Sequence, residues 1–296
     1  MLTRTPAEIL RRIHKIEIHS RRKVSEAFSG EYHSSFKGQG LEFSELREYQ
    51  YGDCHRNIDW NVSARLGSPY VKLYVETREL NVVFLVDVSA SLNFGTRVML
   101  KKEKQAELVA LLAFSALSNN DKVGMIMFSD VLEKYLPPRK GRNRALQMLR
   151  DILYNKPQST RTNLAAAFDY ANLILKKRSI IFVLSDFADQ DFMDSLAILA
   201  RRHDVVALQI LDEAERQLPN AGILNLYDPE TGFTMYVNSS DPVLRKRYKS
   251  QFDAGQTQLS KELKRAKVDH LCFYPSDEAS RILREFFQKR KRMRYA

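Results

Sequence analysis

The chain has 296 residues, with 47 Lys plus Arg against 36 Asp plus Glu, a formal net charge of +11 and 44% hydrophobic residues. That length and apolar content suit a large α/β domain with an appendage and exclude a disordered chain. No run approaches the roughly eighteen uncharged apolar residues of a membrane helix, the N-terminus lacks a signal-peptide core, and Cys54 and Cys272 make neither a metal knuckle nor a disulfide framework, so a reduced, cytoplasmic protein is expected.

The basic excess sits at the ends: residues 1–23 carry seven basic and two acidic side chains, and residues 284–296 six and one. Such ends suit an anionic membrane surface, an acidic protein or nucleic acid, and a solvated tail is the commonest case. Nucleic acid ranks last, because only Phe286, Phe287 and Tyr295 accompany the C-terminal charges. Residues 1–27 read as a basic amphipathic helix, with Thr5, Pro6 and Glu8 as start signals and Ile9, Leu10, Ile13 and Ile16 on one face. That stripe covers the main domain or lies on a membrane.

Residues 28–80 read as a small β-rich appendage, punctuated by Gly38, Gly40, Gly52 and Gly67, with Tyr70–Val75 alternating as a strand. Residues 81–296 then alternate short apolar runs with helical patterns. Val82–Val86, Val123–Phe128, Ile180–Leu184, Val205–Leu211 and Leu271–Tyr274 read as strands buried on both faces, and residues 98–118, 142–154 and 163–175 as helices. Strand, helix, strand implies a doubly wound, mostly parallel, Rossmann-like sheet whose ligand site lies at the carboxyl ends of the strands. Leu132–Leu136, running into Pro137 and Pro138, reads as an antiparallel edge strand. Tyr227–Phe233 reads as a hairpin turn and receives no chemistry.

The sharpest chemistry is Asp87-Val88-Ser89-Ala90-Ser91, at the end of the first apolar strand. In one tight loop, a carboxylate and two hydroxyls can turn toward a common point. Thr162 and Asp186 lie at two further loops on the same sheet edge, Thr160 being the alternative to Thr162. An all-oxygen set of this kind suits Mg²⁺, with Mn²⁺ or Ca²⁺ as alternatives, and two carboxylates balance the ion formally. A buried lysine in the ion's place would defeat this reading.

Asp87-x-Ser89-x-Ser91, the distant Thr162 and the distant Asp186 resemble the metal ion-dependent adhesion site of von Willebrand factor A-like domains. Upstream, Gly40-Leu41-Glu42-Phe43, Arg47-Glu48-Tyr49, Gly52-Asp53, Arg56, Ile58-Asp59-Trp60 and Ala64-Arg65 resemble the signature that precedes this domain in the domain-of-unknown-function 58 family. The resemblance covers about residues 30–290. It implies a non-enzymatic, metal-dependent adaptor that works with a MoxR-type AAA+ ATPase and its client and captures an acidic side chain of a partner. Many relatives begin with a transmembrane hairpin, which is not found here.

The bland reading of the upstream signature is that Arg47, Asp53, Arg56, Asp59 and Arg65 make structural ion pairs, with Trp60 as a packed anchor. Gly38-Gln39-Gly40 lacks the context of a nucleotide loop. An EF-hand is excluded by Leu92 and Val98 at its sixth and twelfth positions. The enzyme alternative is a Mg²⁺-dependent phosphatase with Asp87 as nucleophile. It is weakened by Ser89 standing where a general acid belongs.

Overall fold

The computed structural model describes residues 16–20, 24, 30–32, 35–36, 42–75, 79–95 and 99–295. They form two compact units, one made of Phe36–Leu80 and one of the residues on either side. The expected N-terminal helix lies largely outside the described residues, as do Gly38 and Gly40. Residues 16–20 are helical, and the buried Glu17 accepts a hydrogen bond from Arg142 Nη2 at 2.8 Å.

In the smaller unit, β1 (Glu42–Glu48) pairs antiparallel with β2 (Tyr70–Val75), with a bulge between Phe43 and Glu45. Between them lie a 3-10 turn, His55–Asn57, and α1 (Trp60–Leu66). Asp59 caps α1 by accepting from the backbone N–H groups of Asn61 and Val62, and its second oxygen pairs with Lys72 Nζ at 3.0 Å. α1 stops at Gly67, whose φ of 77° is left-handed and favours glycine. Arg47 clasps Asp53 at 2.8 Å. The Gln50 N–H, with Arg47, holds the Asp53 carboxyl below the usual range. Three of the signature's charges, Arg47, Asp53 and Asp59, are therefore tied up within this unit. Trp60, however, is 69% exposed and is not the packed anchor expected, and Arg56 and Arg65 are also exposed.

The larger unit runs in chain order β3 (Asn81–Asp87), α2 (Lys101–Ser118), β4 (Lys122–Phe128), β5 (Leu132–Arg139), α3 (Arg142–Tyr154), α4 (Leu164–Ile174), β6 (Ile180–Ser185), α5 (Met193–Arg202), β7 (Asp204–Ile210), α6 (Glu213–Arg216), β8 (Ile223–Tyr227), β9 (Thr234–Asn238), α7 (Pro242–Arg265), β10 (Asp269–Phe273) and α8 (Ala279–Tyr295). Six strands form one sheet in the order β10-β7-β6-β3-β4-β5. All its pairings are parallel except β4 with the edge strand β5. This is the mostly parallel α/β sheet that the apolar runs imply. β8 and β9 make a separate two-stranded hairpin.

β3 is central and buried from Val82 to Asp87, because helices cover both faces. On one face Val83, Leu85, Ile181 and Val183 pack with Leu164 and Phe168 of α4, Leu196 and Leu199 of α5 and Leu263 of α7. On the other, Phe84 stacks on Phe182 with ring centroids 5.6 Å apart. α2 is buried along most of its length, so its amphipathic pattern is blunted.

The basic C-terminal end is not a solvated tail. Phe287 of α8 is fully buried edge-on to Tyr32, with centroids 5.7 Å apart, and Arg290 pairs with Asp204 and, at 3.0 Å, with Asp269. The apolar seam of α8 overrides the charge run that the sequence displays.

Candidate metal centre at the switch point

From β3 the chain crosses first to β4 on one side and later to β6 on the other, so the loops after β3 and β6 diverge above the middle of the sheet. Such a switch point opens a crevice at the carboxyl ends of the strands. Asp87 ends β3, and Asp186 follows the last residue of β6.

The β3 loop is held in a defined shape. Val88 N–H donates to Phe128 C=O at 2.8 Å, continuing the β4 pairing by one residue. Ser89 N–H donates back to Asp87 Oδ1 at 2.9 Å and turns the chain into the 3-10 segment Ala90–Asn93. Ala90 N–H donates to Thr160 C=O at 2.9 Å, which draws the 155–163 loop against the β3 loop. Gln105 of α2 donates from Nε2 to Asp87 C=O at 3.0 Å and Leu184 C=O at 3.2 Å, clipping the ends of β3 and β6 together.

Asp87 is fully buried. Its Oδ2 accepts from the Ser185 hydroxyl at 2.7 Å, so both oxygens have partners and both partners are neutral. The Ser89 and Ser91 hydroxyl oxygens stand 3.0 Å apart in the same loop. Burial, and after it the charge of Asp186, push the Asp87 carboxyl up to about 7. An ionised carboxylate is costly in this place without a nearby cation.

The cation that is present serves Asp186. Lys101, fully buried at the start of α2, donates from Nζ to Asp186 Oδ2 at 3.0 Å and to Glu215 Oε1 of α6 at 2.6 Å. Burial alone would lower the Lys101 pKa, but the two carboxylates override it and hold the ammonium above its ordinary value. Among the described residues, no side-chain cation is paired with Asp87.

The five residues read from the sequence therefore divide, and the buried lysine that would count against a metal is present on the Asp186 side of the set, though not on the Asp87 side. Asp87, Ser89 and Ser91 converge in one loop, and Asp186 is close enough to perturb Asp87 while bonded to Lys101. Thr162 sits on the neighbouring loop, where its hydroxyl donates to Glu230 Oε1 at 2.9 Å. Sequence reasoning missed Lys101, Ser185, Glu215 and Glu230. Of these only Ser185, adjacent to Asp186, carried a local signal.

A hard divalent cation is compatible with this chemistry. The donors are oxygens, a buried carboxylate has only neutral partners, and two hydroxyls can coordinate without adding charge. Among the described residues no group of three or more His, Cys, Asp and Glu side chains is arranged to hold a metal. An ion here would accordingly depend on hydroxyls and water.

A doubly wound sheet with an Asp-Ser-Ser loop at its switch point defines an architecture, and the family follows from the chain itself. Residues 45–258 match the family described as "Protein of unknown function DUF58", and the protein belongs to it. The uncharacterized proteins Rv1480 of Mycobacterium tuberculosis and Mb1516 of Mycobacterium bovis are each 32% identical to it over 233 residues, 78% of this chain and 73% of theirs. Among solved structures, the conserved hypothetical protein BatB from Bacteroides thetaiotaomicron is similar at 19% identity and a TM-score of 0.44, over 72% of this chain and 99% of that one. No helix among the described residues is long and apolar enough to cross a membrane.

Proposed function

We propose that the larger unit is a von Willebrand factor A-like module and that the protein is a cytoplasmic, non-enzymatic adaptor. In this reading it binds Mg²⁺ at a metal ion-dependent adhesion site and captures a carboxylate of a partner. The partner is a MoxR-type AAA+ ATPase or its client. One observation carries the reading: a fully buried carboxylate, Asp87, whose hydrogen-bond partners are all neutral, beside two hydroxyls 3.0 Å apart. Asp87, Ser89 and Ser91 would hold the ion. Thr162 and the buried Asp186 are engaged with Glu230 and Lys101 and would complete the set on exchanging those partners. The ion would supply an electrophilic corner for an incoming carboxylate.

The phosphatase alternative draws less support. The residue two positions after Asp87 is a serine, a poor proton donor where a general acid is needed.

Titration calorimetry with Mg²⁺ and Mn²⁺ tests the reading. The wild type is expected to take up one ion, and Asp87→Asn, which keeps the shape and removes the charge, to lose at least tenfold in affinity. Equal heats from both proteins would remove the metal from the account.

A further inference from the structure

We infer that the β8–β9 hairpin is a built-in ligand of the metal site: Glu230, at its tip, holds the position an acidic partner takes, so partner capture requires the hairpin to release. This rests on the metal-dependent reading above and adds an occupant to it.

Two hydroxyls of one loop receive the same glutamate. Thr162 Oγ1 donates to Glu230 Oε1 at 2.9 Å, and Thr160 Oγ1 donates to the Glu230 C=O at 3.2 Å. Thr160 C=O in turn accepts from Ala90 N–H at 2.9 Å, and Ala90 lies between Ser89 and Ser91. The hairpin tip is thus one residue's hydrogen bonds away from the loop that carries Asp87. Thr162 belongs to the proposed adhesion set, and the group it engages is a carboxylate, the class of ligand that set would take.

The tip is preshaped to present that side chain. Asp228 accepts from Glu230 N–H at 2.9 Å and from the Thr231 hydroxyl, and that hydroxyl, with the Glu230 N–H, keeps the Asp228 carboxyl below its usual range. Gly232 N–H donates to Asp228 C=O at 2.9 Å with Gly232 at a φ of 75°, closing the turn.

The hairpin is also built to move. Its strands pair only with each other among the described residues. Register places Ile223, Tyr227 and Tyr236 on one face, where they are 73%, 65% and 75% exposed, while Val237 on the other face is buried. A segment with few buried contacts opens at low cost. Release would uncover Thr162 and leave the exposed aromatic face beside the freed site, where it can flank a bound acidic segment.

The test uses the full chain with Mn²⁺ and compares wild type with Glu230→Gln, which keeps side-chain volume and removes the negative charge. Water-proton relaxation enhancement by bound Mn²⁺ is expected to rise about 1.3- to 1.5-fold in Glu230→Gln, one more water among the several that an octahedral ion keeps. A fluorescent peptide with a single central glutamate is expected to bind the Mn²⁺-loaded variant about tenfold more tightly than the wild type, since a competitor has been removed. Hydrogen exchange at residues 229–233 should slow on adding Mn²⁺ to wild type and not to Asp87→Asn. If Mn²⁺ binds the wild type and not Asp87→Asn, while Glu230→Gln matches wild type in relaxation and peptide affinity, the built-in ligand is overturned and the metal site stands. If wild type binds no Mn²⁺, both fall.

Discussion

At the scale of single residues, the site is a distribution of charge. Lys101 bridges Asp186 and Glu215 from a position with no solvent exposure, and a buried ammonium is tolerated only with such partners. Replacing it with Met would leave Asp186 beside the already strained Asp87 carboxyl. Lys101→Met is expected to lower unfolding free energy in chelator by about 3 kcal/mol, the low end for breaking a buried pair because Glu215 is partly exposed. Saturating Mg²⁺ should recover part of that loss, as seen in urea melts with and without the ion. A variant as stable as wild type in chelator would show that the triad contributes nothing. Asp87, Ser89, Ser91 and Asp186 were legible in the sequence, since polar residues that interrupt apolar strands at their ends stand out. Lys101 was not, because it reads as one more charge in a helix rich in Leu, Ala, Lys and Glu. Its partners lie 85 and 114 positions away, and the Thr162–Glu230 contact spans 68. Pairings at that distance are set by tertiary structure alone.

At the scale of elements, the buried strands of the six-stranded sheet followed from short apolar runs, and the antiparallel edge strand, read as Leu132–Leu136, runs on through Pro137 and Pro138 to Arg139. Long helices were harder. α7 spans 24 residues, yet Leu263 is its one buried side chain, so its apolar stripe is too thin to rise above its charges. Residues 284–296 read as a tail for the opposite reason, since six basic residues masked a seam through Phe287. Close packing between β4 and β5 gives a sharper expectation. A Cβ added at Gly124 would sit 2.7 Å from both Leu136 C=O and Pro138 N. These are backbone atoms that cannot swing aside, and the β4–β5 register shifts at that point. Gly124→Ala is expected to destabilise the protein by about 2 kcal/mol, and an unchanged urea midpoint would refute the close approach.

At the scale of the whole molecule, one buried histidine makes a contribution to stability that is lost on acidification, opposite in sign to that of the raised Asp87 carboxyl. His203, buried between α5 and β7, accepts the Ser179 N–H at Nδ1, 3.2 Å away, which requires that nitrogen to be unprotonated. Burial, with Arg202 and Arg178 nearby, lowers its pKa to about 4, against an ordinary 6.5. A histidine whose folded-state pKa is depressed contributes stability that is fully present above about pH 6.5 and is lost as pH falls toward 4. His203→Asn keeps an acceptor without the titration. Between pH 7.5 and 4.5 it is expected to lose about 2 kcal/mol less unfolding free energy than wild type does. Parallel pH profiles for the two proteins would contradict this.

The paired prolines of β5 also bear on how the molecule behaves in a crowd. Pro137 and Pro138 lie in the strand that ends the six-stranded sheet. Neither has a backbone hydrogen to give, and the register of β5 against β4 shifts where they lie. An edge that carries two prolines and an irregular register is a poor template for a further strand. At this margin the protein should resist templated fibril growth even at high concentration.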